Sequence, residues 1–252
     1  MIRLEQVAKE YRTRSGERIV AIETVTFDVE QDEFITVVGP SGCGKSTLLK
    51  LVGALVAPSS GRILLRGRPL DGHSPDVGIV FQSPVLLPWR SVIDNIMFPI
   101  EILRRPTRKY LPEAERLIAL VGLKGFERAM PYELSGGMQQ RVAICRALIH
   151  DPPLLLMDEP FGALDAMTRE ELGFELLRVW NERKKTVMFV THSIPEAILL
   201  ADRVFVMTAR PGRIVATIAI KLPRPRSVVM ESTPEFIQYA ETIRNLVGRR
   251  TG

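Results

Sequence analysis

Apolar and polar positions alternate at Val25, Phe27 and Val29, the period-two signature of a strand with one buried face. The alternation predicts antiparallel sheet over residues 1–33. The pattern then changes. Phe34-Ile35-Thr36-Val37-Val38, Ile79-Val80-Phe81, Leu154-Leu155-Leu156-Met157 and Thr186-Val187-Met188-Phe189-Val190 are short unbroken apolar runs. The first, third and fourth predict buried strands, and Ile79-Val80-Phe81 predicts a brief apolar strand. Between them the period lengthens to that of a helix. Leu48, Leu49, Val52 and Leu55 predict a helix over Ser46–Val56; Leu117, Leu120 and Val121 one over Glu113–Val121; Leu172, Leu176, Val179 and Trp180 one over Thr168–Lys184. Shorter signals predict a strand over Arg62–Arg68 and a helix over Pro195–Ala201. They also predict a hairpin of Arg203–Thr208 and Arg213–Lys221 around Arg210-Pro211-Gly212. Phe236, Ile237, Ala240, Ile243 and Val247 predict a last helix over Pro234–Val247. Residues 85–134 differ in character: Pro84, Pro88, Pro99, Pro106, Pro112 and Pro131 punctuate short helical segments. That stretch reads as a helical insertion in an α/β domain with a mainly parallel sheet.

The stretch between the first unbroken run and the first helix carries the chemistry. Gly39-Pro40-Ser41-Gly42-Cys43-Gly44-Lys45-Ser46-Thr47 reads Gly-x-x-x-x-Gly-Lys-Ser, a phosphate-binding loop, in its required strand–loop–helix setting. Gly39, Gly42 and Gly44 let successive backbone N–H groups turn inward around a phosphate, with Ser41 and Thr47 of the same motif as further candidate binding residues. The helix start adds its positive dipole end. Lys45 would reach the β- and γ-phosphates, and the Ser46 hydroxyl would bind Mg²⁺.

Three further constellations stand at element ends. Leu134-Ser135-Gly136-Gly137-Met138 opens a helix with a capping serine and two glycines, a second terminus that an anion can approach closely. The Leu154–Met157 run ends in Asp158-Glu159, two adjacent carboxylates that are costly at a buried strand end unless they have partners or work. In phosphate-loop enzymes the first such carboxylate holds hydrated Mg²⁺. The Thr186–Val190 run ends in Thr191-His192-Ser193, at the strand edge where open α/β sheets place ligands. His73 and His150 read instead as ordinary surface histidines. Leu86-Leu87-Pro88-Trp89 is an apolar cluster on a loop, either a plug into the core or an exposed partner contact. Tyr11 stands among Lys9, Glu10, Arg12 and Arg14, a packing residue or a flat ring for a base.

Composition adds bounds. A chain of 252 residues with 46% hydrophobic and 25% charged residues builds a globular core of one large domain or two small ones. The net charge of +5 and pI near 9.4 are compatible with nucleic acid or an anionic membrane surface without requiring either. No apolar run reaches membrane-span length. The first residues do not read as a secretory signal. Two distant cysteines, Cys43 and Cys145, exclude a disulfide framework and favour a reducing compartment. Cys43 lies inside the phosphate loop, as filler or as an oxidation-sensitive position.

The order of phosphate loop, Gln82, Leu-Ser-Gly-Gly, the run ending in Asp158-Glu159, and His192 resembles the ATP-binding subunit of ABC transporters over about Ile2–Lys221. The resemblance implies a phosphate-loop NTPase core, residues 1–221, with an N-terminal antiparallel β subdomain and an α-helical subdomain inserted at about 84–134. Residues 222–252 would form an extension with one helix. It implies ATP and Mg²⁺ as cofactors and a head-to-tail homodimer with ATP at the interface. Ser135, Gly136 and Gly137 of one copy would face the phosphate loop of the other. Gln82 would reach metal and water, Asp158 would hold Mg²⁺, and Glu159 would act as general base or water-positioner. His192 would contact the γ-phosphate, Asp165 would communicate across the dimer, and Tyr11 would stack on adenine. Two positions depart from the family pattern: Met138 replaces a frequent Gln, and Ser193 replaces the Asp that commonly follows the histidine.

Leu86 to Ile96, Arg210-Pro211-Gly212-Arg213-Ile214 and Leu222-Pro223-Arg224-Pro225-Arg226 resemble segments of nitrate, sulfonate and taurine importers. That implies an ATPase at the cytoplasmic face of the cell membrane, peripheral to separate permease subunits served by an extracytoplasmic substrate-binding protein, with no nucleic-acid partner. A non-transport ABC ATPase acting on nucleic acid or ribosomes is the alternative. Translation-type members carry two cassettes in one chain and repair-type members insert a long coiled coil, and neither feature is present in this sequence.

Overall fold

The computed structural model describes residues 1–162, 164–182, 184–208 and 211–248. The chain divides into two compact units, one of residues 1–74 with 184–252, the other of residues 75–183.

The first unit opens with β1 (Ile2–Arg12) and β2 (Arg18–Val29), paired antiparallel with Ile2 opposite Val29 and Tyr11 opposite Ile19. β3 (Phe34–Val38) is buried at all five positions, as its unbroken run predicts. α1 (Lys45–Val52) follows the phosphate loop. It is shorter than its periodicity predicts. Gly53 caps it, and Ala54 adopts a left-handed φ of 52°, so Leu55 lies outside the helix. β4 (Ser60–Leu65) likewise stops before Arg68. Arg66 and Gly67, both at positive φ, turn the chain into the short β5 (Arg68–Pro69). These strands form an antiparallel sheet in the order β2-β1-β4-β5.

The second unit begins with β6 (Val77–Val80). α2 (Val92–Ile102) and α3 (Thr107–Leu120) follow, and both correct the sequence reading, because Pro99 and Pro112 lie inside them rather than at their ends. Each proline removes one backbone donor. Burial of Ile96, Met97 and Ile100 on α2, and of Ala114, Leu117 and Ile118 on α3, outweighs that loss. α4 (Gly136–Leu148) packs on α2, α3 and β6. β7 (Leu154–Asp158) lies parallel to β6, with Val80 opposite Met157. α5 (Ala166–Glu182) closes the unit. Two positions of the predicted Thr168–Lys184 helix fall outside what is described: the side chain of Val179, and Arg183.

The chain returns to the first unit with β8 (Thr186–Thr191), α6 (Ile194–Leu200), β9 (Arg203–Met207) and β10 (Ile214–Ala219). β3 lies parallel between β8 and β9, and β10 pairs antiparallel with β9. The hairpin forms, although Arg210 of its turn is outside the described residues. α7 (Pro234–Gly248) buries Phe236 and Ile243 and packs on α6 and β9. The Phe27 and Phe205 rings, 4.9 Å apart, join the antiparallel sheet to β9. Among the described residues no helix is long and apolar enough to cross a membrane.

Candidate functional site

In the first unit, parallel register places two predicted elements side by side. Val38 of β3 is opposite Thr191 of β8, so the phosphate loop and His192 leave the same sheet edge on neighbouring strands. α1 starts from Gly44 at φ 102°, with no side chain capping it. A Cβ there would stand 2.7 Å from both the Ala21 carbonyl oxygen and Ile22 Cδ1, so the position excludes any larger residue on two counts. Lys45 is only 4% exposed, and its Nζ donates to the carbonyls of Gly39 (3.0 Å) and Pro40 (3.1 Å). The ammonium is thereby folded over the loop it would share with a phosphate. Ser41 and Gly42 are exposed; Ser46 and Thr47 are half-buried.

His192 is exposed on a tightly tied support. Ser193 N donates to Thr191 Oγ1 (2.9 Å), and that hydroxyl donates to Glu196 Oε2 (2.6 Å). Ser193 Oγ accepts from Glu196 N at the start of α6. The serine that replaces the family's aspartate is thus a helix cap. Tyr11 is 39% exposed, with Lys9 Nζ 5.1 Å from its ring centroid.

In the second unit, the β6–β7 register sends Gln82 and Asp158-Glu159 from one edge. Asp158 is buried and Gln82 exposed. Glu159 has φ 43°, a left-handed conformation that is uncommon for a non-glycine residue and characteristic of functional positions. Gly162 N donates to the Glu159 carbonyl (3.0 Å), which holds that turn. Gln82 Nε2 and Glu159 Oε2 each stand 3.7 Å from where a Cβ on Gly162 would be.

Ser135 caps α4, its Oγ accepting from Met138 N at 3.2 Å, and Ser135 and Gly136 are exposed. Met138 contributes its backbone N–H here, so the absence of a Gln side chain does not disturb the cap. Gly137 faces α5: a Cβ on it would stand 3.2 Å from Thr168 Cγ2 and 3.6 Å from Leu164 Cδ2. Asp165 in turn accepts from Thr168 N (3.0 Å) and Thr168 Oγ1 (2.7 Å), which hold its carboxyl below the usual carboxylate range. The structure therefore joins the Ser-Gly-Gly terminus to the start of α5, a relationship that linear spacing does not reveal.

α4 also organises the Gln82 loop. Gln140 Nε2 donates to the Phe81 carbonyl (3.3 Å), and the Arg146 guanidinium donates to those of Pro84 (2.7 Å) and Val85 (2.8 Å). Arg141 ties α4 to α5 through Glu175 (2.7 Å). Buried Asn95 shapes the Leu86–Trp89 cluster, accepting from Leu87 N and donating to the carbonyls of Leu87, Arg90 and Ser91. The outcome is split: Leu86 and Leu87 are half-buried, while Trp89 is 70% exposed. Of the other histidines, His150 departs from the surface reading. It is half-buried, and Arg105 donates to its carbonyl.

Residues 22–162 match the family model described as ABC transporter. The chain is 49% identical over 233 residues to an uncharacterized ABC transporter ATP-binding protein of Methanocaldococcus jannaschii, covering 92% of this chain and 86% of the relative. It is 42% identical over 254 residues to the taurine import ATP-binding protein TauB of Rhizobium johnstonii (98% and 96% covered). It is 43% identical over 236 residues to the aliphatic sulfonates import ATP-binding protein SsuB of Bacillus cereus (93% and 92% covered). Among solved structures, the ABC transporter cassette MJ0796 superposes with a TM-score of 0.77 in its dimeric form, at 32% identity over 88% of this chain and all of that one. The same cassette as a dimer bound to ADP and Pi gives 0.76. With its phosphate loop, its Ser-Gly-Gly helix and this breadth of likeness, the chain belongs to the ABC transporter family, as an ATP-hydrolysing cassette.

Proposed function

We propose that the protein is the ATPase subunit of an importer for a small anionic or organic solute of the taurine or sulfonate kind, working as a head-to-tail homodimer on separate permease subunits. The observation that carries the reading is the exposed Ser135-Gly136 terminus of α4, a second phosphate-ready helix start in a chain that already has its phosphate loop. Import ATP-binding proteins that match nearly the whole chain support the transport role.

In this reading residues 1–221 form the ATPase domain with its helical subdomain at about 84–134, and residues 222–252 form the extension. Gly39, Ser41, Gly42, Gly44, Lys45, Ser46 and Thr47 hold the phosphates, and Tyr11 stacks on adenine. Ser135, Gly136 and Gly137 act on the γ-phosphate bound by the partner copy, and Asp165 links the two sites. Ser46, Gln82 and Asp158 would hold Mg²⁺, for which a hydroxyl, an amide oxygen and a buried carboxylate are suitably hard oxygen donors. The bound ion would neutralise phosphate charge. Glu159 positions and deprotonates the attacking water, and His192 contacts the γ-phosphate. The protein would sit at the cytoplasmic face of the membrane, beside a permease fed by an extracytoplasmic substrate-binding protein.

A mixing experiment tests the head-to-tail arrangement. Lys45→Ala and Ser135→Asp should each be inactive alone. Mixed, they should recover ATPase activity, because a mixed dimer keeps one site with both parts intact. Absence of recovery, with mixed dimers demonstrated by differently tagged copies, would overturn the arrangement.

A further inference from the structure

We infer that Gly212, in the Arg-Pro-Gly-Arg turn between β9 and β10, is a positioning residue that braces the phosphate loop from behind. The inference rests on the reading of that loop as the nucleotide site. It gives a role to a motif that the assigned chemistry leaves unused.

Gly212 lies where three backbones meet. Its N–H donates to the Ala21 carbonyl of β2 (3.2 Å), and its carbonyl accepts from Glu23 N (3.0 Å), which makes a parallel bridge opposite Ile22. On its other side is the phosphate loop. A Cβ on Gly212 would fall on the carbonyl oxygen of Cys43, well inside the 3.0 Å that Cβ contacts keep. It would also stand 2.9 Å from the Ala21 carbonyl oxygen and 3.0 Å from Met207 Cε. The Ala21 carbonyl oxygen is the same atom that a Cβ on Gly44 would meet at 2.7 Å. Ala21 of β2 is therefore in close contact with both Gly44 and Gly212, and Gly212 with the Cys43 carbonyl just before Gly44.

Two of the obstructing atoms are backbone oxygens held in hydrogen-bonded structure, so they cannot rotate aside as a side-chain tip can. Ala21 O is fixed by Gly212 N, and Cys43 sits in a loop whose Cys43 N donates to the Pro40 carbonyl (3.3 Å). A methyl group at residue 212 must move the hairpin off β2 or displace Cys43. Either movement shifts the backbone that leads into Gly44, Lys45 and Ser46. Phosphate binding through several backbone N–H groups depends on their joint alignment, so a small displacement weakens all of them together. The ion pair of Arg213 with Glu23 of β2 (3.0 Å) is a further tie between the hairpin and that strand.

The test is equilibrium binding of fluorescently labelled ADP to the full chain, alongside the thermal transition of the nucleotide-free protein. Gly212→Ala should weaken binding at least tenfold. Gly72→Ala, where an added Cβ meets nothing within 4 Å, should leave it unchanged. A Gly212→Ala protein that is less heat-stable yet binds ADP as tightly as the wild type would overturn the brace, since a merely structural glycine behaves that way. Wild-type protein that binds no ADP would instead overturn the nucleotide-site reading itself. If Gly212→Ala yields no folded protein, Arg213→Ala reads the same brace more gently through its exposed ion pair. A two- to fivefold loss of ADP affinity is expected there, and an unchanged affinity overturns the proposal.

Discussion

Gln82 Nε2 and Glu159 Oε2 stand at one distance, 3.7 Å, from the point that a Cβ on Gly162 would occupy. The amide and the carboxylate come from beyond the ends of neighbouring parallel strands and converge on one glycine. Glu159 adopts its left-handed backbone in the same turn. Glu159→Gln keeps the size of the side chain and removes its basicity. ATP binding should persist while single-turnover hydrolysis falls about 10²–10⁴-fold, the usual effect of losing a positioned general base. Turnover close to that of the wild type would remove Glu159 from this role.

Ser135 has two tasks that substitution can separate. Its hydroxyl caps α4, and the same exposed terminus is proposed to meet the partner's γ-phosphate. Ser135→Ala should lose both, with a stability cost of about 1 kcal/mol for the cap. Ser135→Asp retains a capping acceptor but sets a negative charge against phosphate. Urea unfolding should place it near the wild type, and ATPase assays should find it inactive. An active Ser135→Asp protein would mean that this terminus does not approach phosphate.

Arg226, 5% exposed, makes the extension part of the core of the first unit. Its guanidinium donates to the carbonyls of Ile198, Leu199 and Ala201 at the end of α6, and to those of Ile220 and Leu222. Burial, with Arg224 nearby, pushes its pKa down to about 10, which leaves it charged at neutral pH. Arg226→Met strands several buried acceptors and should cost about 1–3 kcal/mol. Arg226→Lys should recover only part of that loss, because a point ammonium cannot serve acceptors spread around a planar fork. The denaturant midpoints of the three proteins check the order; equal midpoints would show that the network contributes nothing.

Trp89 is held at the surface by the Asn95 network beneath its loop, which suits a contact with a permease. Trp89→Asp should lower co-purification with the permease sharply. The unfolding free energy from denaturant titration should change by less than about 0.5 kcal/mol, as for an ordinary surface position. Undiminished co-purification would place the contact elsewhere.

Much of this protein is determined by sequence alone. Three of the four unbroken apolar runs specify fully buried strands, because a two-faced strand has no solvated side to register as polar; the fourth, Ile79-Val80-Phe81, gives β6, where half-buried and buried positions alternate and Phe81 lies beyond the strand. β3, β7 and β8 follow from that rule, and the chemistry at their ends follows from its position after them. The glycines and Lys45 of the phosphate loop carry their meaning in fixed spacing, since the loop closes over adjacent residues. Proline was a weaker guide. Pro99 and Pro112 stay inside helices because burial of neighbouring side chains, a tertiary quantity, exceeds the loss of one hydrogen bond. Only the tertiary structure decided that Gln82 and Glu159 face one glycine, and that Gly137 abuts the start of α5. It alone set Arg226 beneath α6 and Gly212 behind Cys43. Each of these relationships joins residues far apart or oriented by a fold, and its physical basis is a close approach that exists only once the backbones have packed.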